Sequence, residues 1–284
     1  MQKRLNPVFA SGLVIATISL ALWMHRAPAV AQSAGVRLAL VNVPDELLRP
    51  LIPGFQEQTG RTADIVYTGR DPFGVARQGK ADLVISHYGH EGVQPFMAAG
   101  LGLWPHPVFA NQMALLGPPG DPAKVRGLRD AAEALKRIAQ TKSTFIVNSG
   151  AGARYVEEIL FAAIGDPAKG DWYVNPKVQG PAAARAAADR GGYVLWGLPP
   201  FLRLKRRGPI DLEPLVVADP LLQRIMVSIV VNPEKTRGTN LDAAKAFQDY
   251  LMAPATQAKI RAFRYPDFAE QAWWPAGRHN SAVE

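Results

Sequence analysis

Residues 144–158 read TFIVNSGAGARYVEE, and residues 171–197 read DWYVNPKVQGPAAARAAADRGGYVLWG. The apolar run Phe145-Ile146-Val147 stops at Asn148-Ser149-Gly150-Ala151-Gly152, and a helical pattern starts at once with Arg154, Tyr155 and Glu157. A strand, a glycine loop and a helix N-terminus in that order present free backbone N–H groups to an anion. No Gly-Lys-Ser/Thr follows, and the glycine spacing lacks the third glycine of a dinucleotide loop. The loop therefore fits a small-ligand pocket better than a phosphoryl-transfer site, although many such turns only cap a helix.

Outward from this stretch the chain alternates strands and helices. Val36–Val41 reads as a buried strand, and Leu47, Leu48, Leu51 and Phe55 follow at helical spacing behind Pro44. Gly60 ends that helix, and Asp64–Tyr67 and Asp82–Ile85 are further strands. Leu103–Leu116 is strand-like and ends in the turn Gly117-Pro118-Pro119-Gly120. A second cycle has a helix from Leu128 to Ala139, a strand over 144–147 and a helix from about Ala153 to Ile164. An alanine-rich helix Pro181–Arg190, a strand Tyr193–Trp196, and apolar runs at Glu213–Asp219 and Ile225–Val231 come next. A last helix spans roughly Leu241 to Phe263, interrupted near Pro254. Such alternation implies parallel sheets whose ligands sit beyond the strand C-termini. No low-complexity linker appears, so the chain is expected to cross between lobes within packed structure.

The first residues suggest where the protein works. Lys3 and Arg4 precede an apolar run from Pro7 to Met24, and Ala29-Val30-Ala31 is a small-x-small cleavage pattern. Cleavage after Ala31 leaves a chain beginning at Gln32; an uncleaved membrane anchor is the competing reading. Cysteine is absent, which excludes thiol chemistry, cysteine metal sites and a lipid-anchoring cysteine. A chain of this size buries enough core to do without disulfides. The formal charge of +8 falls to +5 without residues 1–31, which carry Lys3, Arg4 and Arg26 and no acid. Part of the excess is Lys205-Arg206-Arg207, read as a solvated face because no aromatics are interleaved with it. No nucleic-acid partner is expected, while the basic field favours anionic ligands.

Several short matches bring the chain close to a known family. They include Thr59-Gly60, Gly79-Lys80-Ala81-Asp82-Leu83, Gly117-Pro118-Pro119-Gly120-Asp121-Pro122-Ala123 and Ala131–Ala139. Asp171-Trp172-Tyr173, Gly192-Tyr193-Val194-Leu195, Val231-Asn232-Pro233 and Ala244-Lys245-Ala246-Phe247 continue them. In order and spacing the chain resembles periplasmic substrate-binding proteins of ABC importers, type II, in the tungstate-binding branch. The resemblance implies an α/β, two-lobed periplasmic-binding-protein type II fold with a mixed, largely parallel sheet in each lobe. It implies a signal peptide at 1–31, lobe I at 32–115, lobe II at 116–220 and a return to lobe I at 221–284. It further implies a periplasmic monomer, without cofactor or catalysis, that hands a small anionic or polar solute to a membrane permease.

The family's ligand positions do not carry over. Its Thr-Thr-Thr-Ser run after the first strand is Val41-Asn42-Val43-Pro44 here, with its hydroxyls missing and one N–H removed by proline. Its Ser-Gly-Thr at the second helix start is Ala151-Gly152-Ala153, and its Asp-Arg-Gly is Trp196-Gly197-Leu198. An arginine of the preceding strand corresponds to Asn148, with Arg154 one turn on. By strand-end logic the ligand candidates are Asn42, Arg70, Tyr88, Ser149, Gly150, Gly152, Arg154 and Trp196. The arginines would grip an oxyanion or carboxylate, Asn42 and Ser149 would hydrogen-bond, and Tyr88 and Trp196 would stack on an organic ligand. Against these stand surface arginines, turn or cap residues, and core packing. His87 and His90, with Glu91 adjacent, invite zinc, but Tyr88-Gly89 reads as a turn and no further ligands stand out, so no metal is expected. Two other functions remain open: a sensory or accessory module with an altered ligand, and an exported hydrolase pairing Ser149 with His87. No Gly-x-Ser-x-Gly or His-Glu-x-x-His motif supports the latter.

Overall fold

The protein is described by a computed structural model that covers Gln2 and residues 35–41, 45–269 and 271–275. Contacts separate Met1–Gln32 from Ser33–Glu284, and the fold below is that of the second unit. The expected export segment, Gln2 aside, and the candidate Asn42 lie outside the described residues. Among the described residues no helix is long and apolar enough to cross a membrane.

One sheet path runs through the unit and falls into two halves. In the first half β1 (Val36–Val41) lies between β2 (Ala63–Gly69) and β3 (Leu83–His87), all parallel. Their crossovers are α1 (Asp45–Leu48), α2 (Ile52–Thr59) and α3 (Pro72–Arg77); α4 (Val93–Ala98) leads on from β3. β4 (His106–Gly117) then runs past the first half into the second. α5 (Ala131–Thr141) is capped by the Asp130 carboxylate on the Glu133 N–H. It leads to β5 (Phe145–Ile146), α6 (Ala151–Ala163), β6 (Tyr173–Val174), α7 (Pro181–Asp189) and β7 (Tyr193–Gly197). β5 pairs in parallel with both β6 and β7, and β7 pairs antiparallel with β4. After α8 (Leu198–Arg207), β8 (Glu213–Val216) joins β4. β9 (Gln223–Val230) then returns between β3 and β4, antiparallel to both. α9 (Leu241–Met252), α10 (Pro254–Ala262) and β10 (Trp273–Pro275) close the first half. The sheet is thus mixed. Its parallel strands lie toward the two ends, and the antiparallel pair β4 and β9 joins the halves.

Each half packs its own core. β1 is covered on both faces, so its sequence is nearly all apolar. Phe55 of α2 meets Phe247 of α9 edge to face at 5.0 Å between ring centres. In the second half Leu135 and Ile138 of α5 pack with Phe145, Phe161 and Trp172. The helix over Leu241–Phe263 is interrupted at Pro254 as expected, giving two helices, because Pro254 has no N–H to continue the first and starts the second at N1. The sequence reading had no helix at α8, where Pro199 and Pro200 occupy the first turn. Lys205, Arg206 and Arg207 are exposed in its last turn, where positive charge complements the helix dipole.

Candidate functional site

The parallel strands β5 and β7 run side by side, and Asn148, just past the end of β5, ties its own loop to β7 and to the loop before α7. Its side chain is buried; Nδ2 donates to the Leu195 carbonyl, and Oδ1 accepts from the N–H groups of Gly150 and Gly180. Ser149 donates its N–H to the Val178 carbonyl. The loop before α6 is thereby fixed while its helix end stays open. Ala153 and Arg154 both donate their N–H groups to the Gly150 carbonyl, whereas the N–H groups of Ala151 and Gly152 find no acceptor among the described residues. These two amides carry the positive end of α6. The exposed hydroxyl of Ser149 stands beside them.

The cation facing that helix end is Arg224, which the sequence reading missed. It lies on β9, directly across from Asn111 of β4, and its guanidinium packs on Gly152. A Cβ built on Gly152 would overlap Arg224 Nη1 and lie 3.1 Å from Cζ and 3.3 Å from Nη2. Glycine at 152 is what lets the guanidinium reach the helix end. Arg224 has neither a carboxylate nor any hydrogen-bond acceptor among the described residues. Burial lowers its pKa, and Tyr155, one turn beyond Gly152, opposes that shift. A partly buried guanidinium set against the positive end of a helix, with no anion from the protein, is an electrostatic cost that an incoming anion would relieve.

His87 and Asn111 lie beneath this cation. Met226, opposite His87, shares a strand face with Arg224 two residues away, so His87, Arg224 and Asn111 stand on one side of the sheet. Asn111 Nδ2 is 3.0 Å from His87 Nε2, and Asn111 Oδ1 is buried without a partner among the described residues. Burial, reinforced by the Arg224 charge, lowers the His87 pKa to about 3.

The other candidates have separate placements. Arg154 is turned onto Glu157 and Glu158 and donates to the Tyr173 hydroxyl at 2.8 Å. Glu157 is buried, so Arg154 serves as its counter-charge rather than standing free. Arg70 follows β2 with an exposed side chain, and its carbonyl lies 3.1 Å from His90 Nε2. His90 Nδ1 accepts from the Gly92 N–H, so both His90 ring nitrogens have partners. Among the described residues no three His, Asp or Glu side chains are grouped to hold a metal. Tyr88 is exposed in the turn after β3, where its N–H donates to the Ile225 carbonyl at 3.0 Å. Trp196 meets the Phe201 ring at 6.5 Å, and its indole faces Gly180. The geometry therefore sets Gly152 against Arg224, with Ser149 and Gly150 just before it in the loop, and leaves Arg70 exposed and Arg154 engaged by Glu157 and Glu158.

A family model described as bacterial extracellular solute-binding protein matches residues 36–265. The chain belongs to that family. It is 30% identical over 226 residues to the tungstate-binding protein TupA of Peptoclostridium acidaminophilum, covering 75% of each protein. Among solved structures, the tungstate-binding protein TupA from Desulfovibrio alaskensis G20 matches with a TM-score of 0.71 at 25% identity. That match covers 85% of this chain and 98% of the other. A tungstate ABC transporter structure from Geobacter sulfurreducens matches with a TM-score of 0.65 at 26% identity, covering 81% and 98%. The solute-binding family and the two-lobed α/β fold follow from these matches together with the sheet described above.

Proposed function

We propose that this solute-binding protein captures a small oxyanion between Arg224 and the start of α6, and delivers it unchanged to the permease of an ABC importer. The observation that carries the reading is the guanidinium of Arg224, without a partner among the described residues, seated on Gly152 and facing the N–H groups of Ala151 and Gly152. The tungstate-binding relatives support an oxyanion as cargo. Charge-assisted donors converging from a helix end and an arginine are what an oxyanion needs. In this reading Ser149 adds a hydroxyl, Gly150 shapes the loop, and Trp196 packs behind it. The protein acts in the periplasm as a monomer after cleavage at Ala31, binds no nucleic acid and performs no chemistry. Residues 32–115 and 221–284 form lobe I and 116–220 form lobe II, with β4 and β9 as the hinge on which the lobes close.

A thermal-shift screen tests this. Tungstate, molybdate and sulfate should each be compared with small carboxylates, amino acids and aromatic acids. An oxyanion at a hundredfold excess over its dissociation constant should stabilise the protein by about 2.7 kcal/mol. A rise with organic acids alone would reassign the cargo. No rise with any ligand would favour a sensory or accessory role.

A further inference from the structure

Arg224 supplies a single positive side chain to the proposed anion site. Arg154 is held by Glu157 and Glu158, so it adds no free charge. A tetrahedral oxyanion such as tungstate carries two negative charges, and one guanidinium leaves the second unmatched in a partly buried place. The pair beneath Arg224 offers the missing charge.

His87 and Asn111 are joined through Nε2 and Nδ2 at 3.0 Å. With Nε2 accepting from the amide, the imidazole is neutral and its proton is on Nδ1. Asn111 Oδ1 is then left buried with no partner among the described residues, a rare condition for an interior amide. A proton from solvent added to Nε2 removes the acceptor of that bond. A half-turn of the Asn111 amide then brings Oδ1 round to accept from the new Nε2–H. The same half-turn frees Nδ2 to donate elsewhere. No covalent bond breaks, and the orphaned oxygen gains its partner.

We propose that His87 matches the site to a doubly charged oxyanion by taking up a proton as the anion enters, with Asn111 turning in step. The inference rests on oxyanion capture at Arg224. The charged and titratable groups bearing on His87 are Arg224 on β9 and His90 on its own turn, with Tyr155 on α6 beside Arg224. β4 contributes the neutral Asn111. In the empty protein burial and Arg224 keep His87 neutral. A dianion beside Arg224 reverses the sign of the local field and favours the imidazolium. His87 is thus a specificity-determining residue: a monoanion is balanced by Arg224 alone, while a dianion recruits the second cation.

Calorimetric titration of the purified chain with tungstate, sulfate and molybdate, in buffers of different ionisation enthalpy, measures the protons taken up. About one proton per dianion is expected near neutral pH, with affinity falling about tenfold per unit as pH rises toward the bound-state pKa and levelling off above it. Perrhenate, a tetrahedral monoanion, should bind without proton uptake. His87→Gln should bind the dianions more weakly and with no proton uptake, its fold checked by circular dichroism. Dianion binding by the unaltered protein without proton uptake would overturn the inference while leaving the anion site standing. Equal uptake by His87→Gln would also overturn it, by placing the proton elsewhere. If none of the three dianions gives heat, the oxyanion reading fails and the inference fails with it. Should His87→Gln not fold, the proton count of the unaltered protein decides alone.

Discussion

His87 makes the site's electrostatics measurable in the empty protein. Its pKa of about 3 lies well below the ordinary value of 6.5. Above about pH 6.5 the folded and unfolded states both carry a neutral ring, and the residue contributes no pH dependence. As pH falls below that, the unfolded chain binds a proton that the folded site refuses, so stability is lost down to the folded pKa. Comparing denaturant unfolding of the unaltered protein and His87→Gln, we expect the former to lose roughly 2 kcal/mol more between pH 7 and pH 4.5. Parallel stability curves would show that His87 titrates as it does in water. Legibility differs among residues at this scale. Arg154 could have been read as paired, because Glu157 and Glu158 follow at the helical spacings that bring charges together. Arg224 could not be placed from sequence, since its surroundings come from β4 and α6, far away in the chain. Its one local signal was a charge inside an otherwise apolar strand, which also fits an exposed strand face.

Among the elements, α6 and its seat explain why the loop at 148–152 was the most readable part of the chain. The strand ending at Val147, the glycines and the buried face Ala153, Val156, Leu160 and Phe161 are all local patterns. The free amides expected there are those of Ala151 and Gly152. Asn148 positions the loop rather than binding in it. Its one buried amide holds the loops before α6 and α7 to strand β7. Asn148→Ala would leave the Gly150 and Gly180 N–H groups and the Leu195 carbonyl without their shared partner. A loss of about 1–3 kcal/mol is expected in chemical unfolding. Anion affinity should fall as well, because the α6 end is no longer fixed. Unchanged stability would mean that water replaces the side chain.

At the scale of the whole molecule, the order of strands and helices sufficed for the α/β class, and local periodicity located most elements. What it did not supply is the pairing of β9 between β3 and β4, which is non-local and brings a late segment back to the middle of the sheet. That pairing carries Arg224 from one half of the fold to the α6 end of the other. The topology thereby supplies the cation of the proposed site. Arg224 would then have opposite effects on stability and on binding. Calorimetry of Arg224→Met with tungstate, beside the unaltered protein, tests this most directly. Affinity should fall by roughly 2–3 kcal/mol through loss of the charge-assisted bonds. Stability without ligand should hold or rise, since a partly buried unpaired charge is removed. Tungstate bound as tightly by Arg224→Met as by the unaltered protein would contradict the account and place the anion elsewhere.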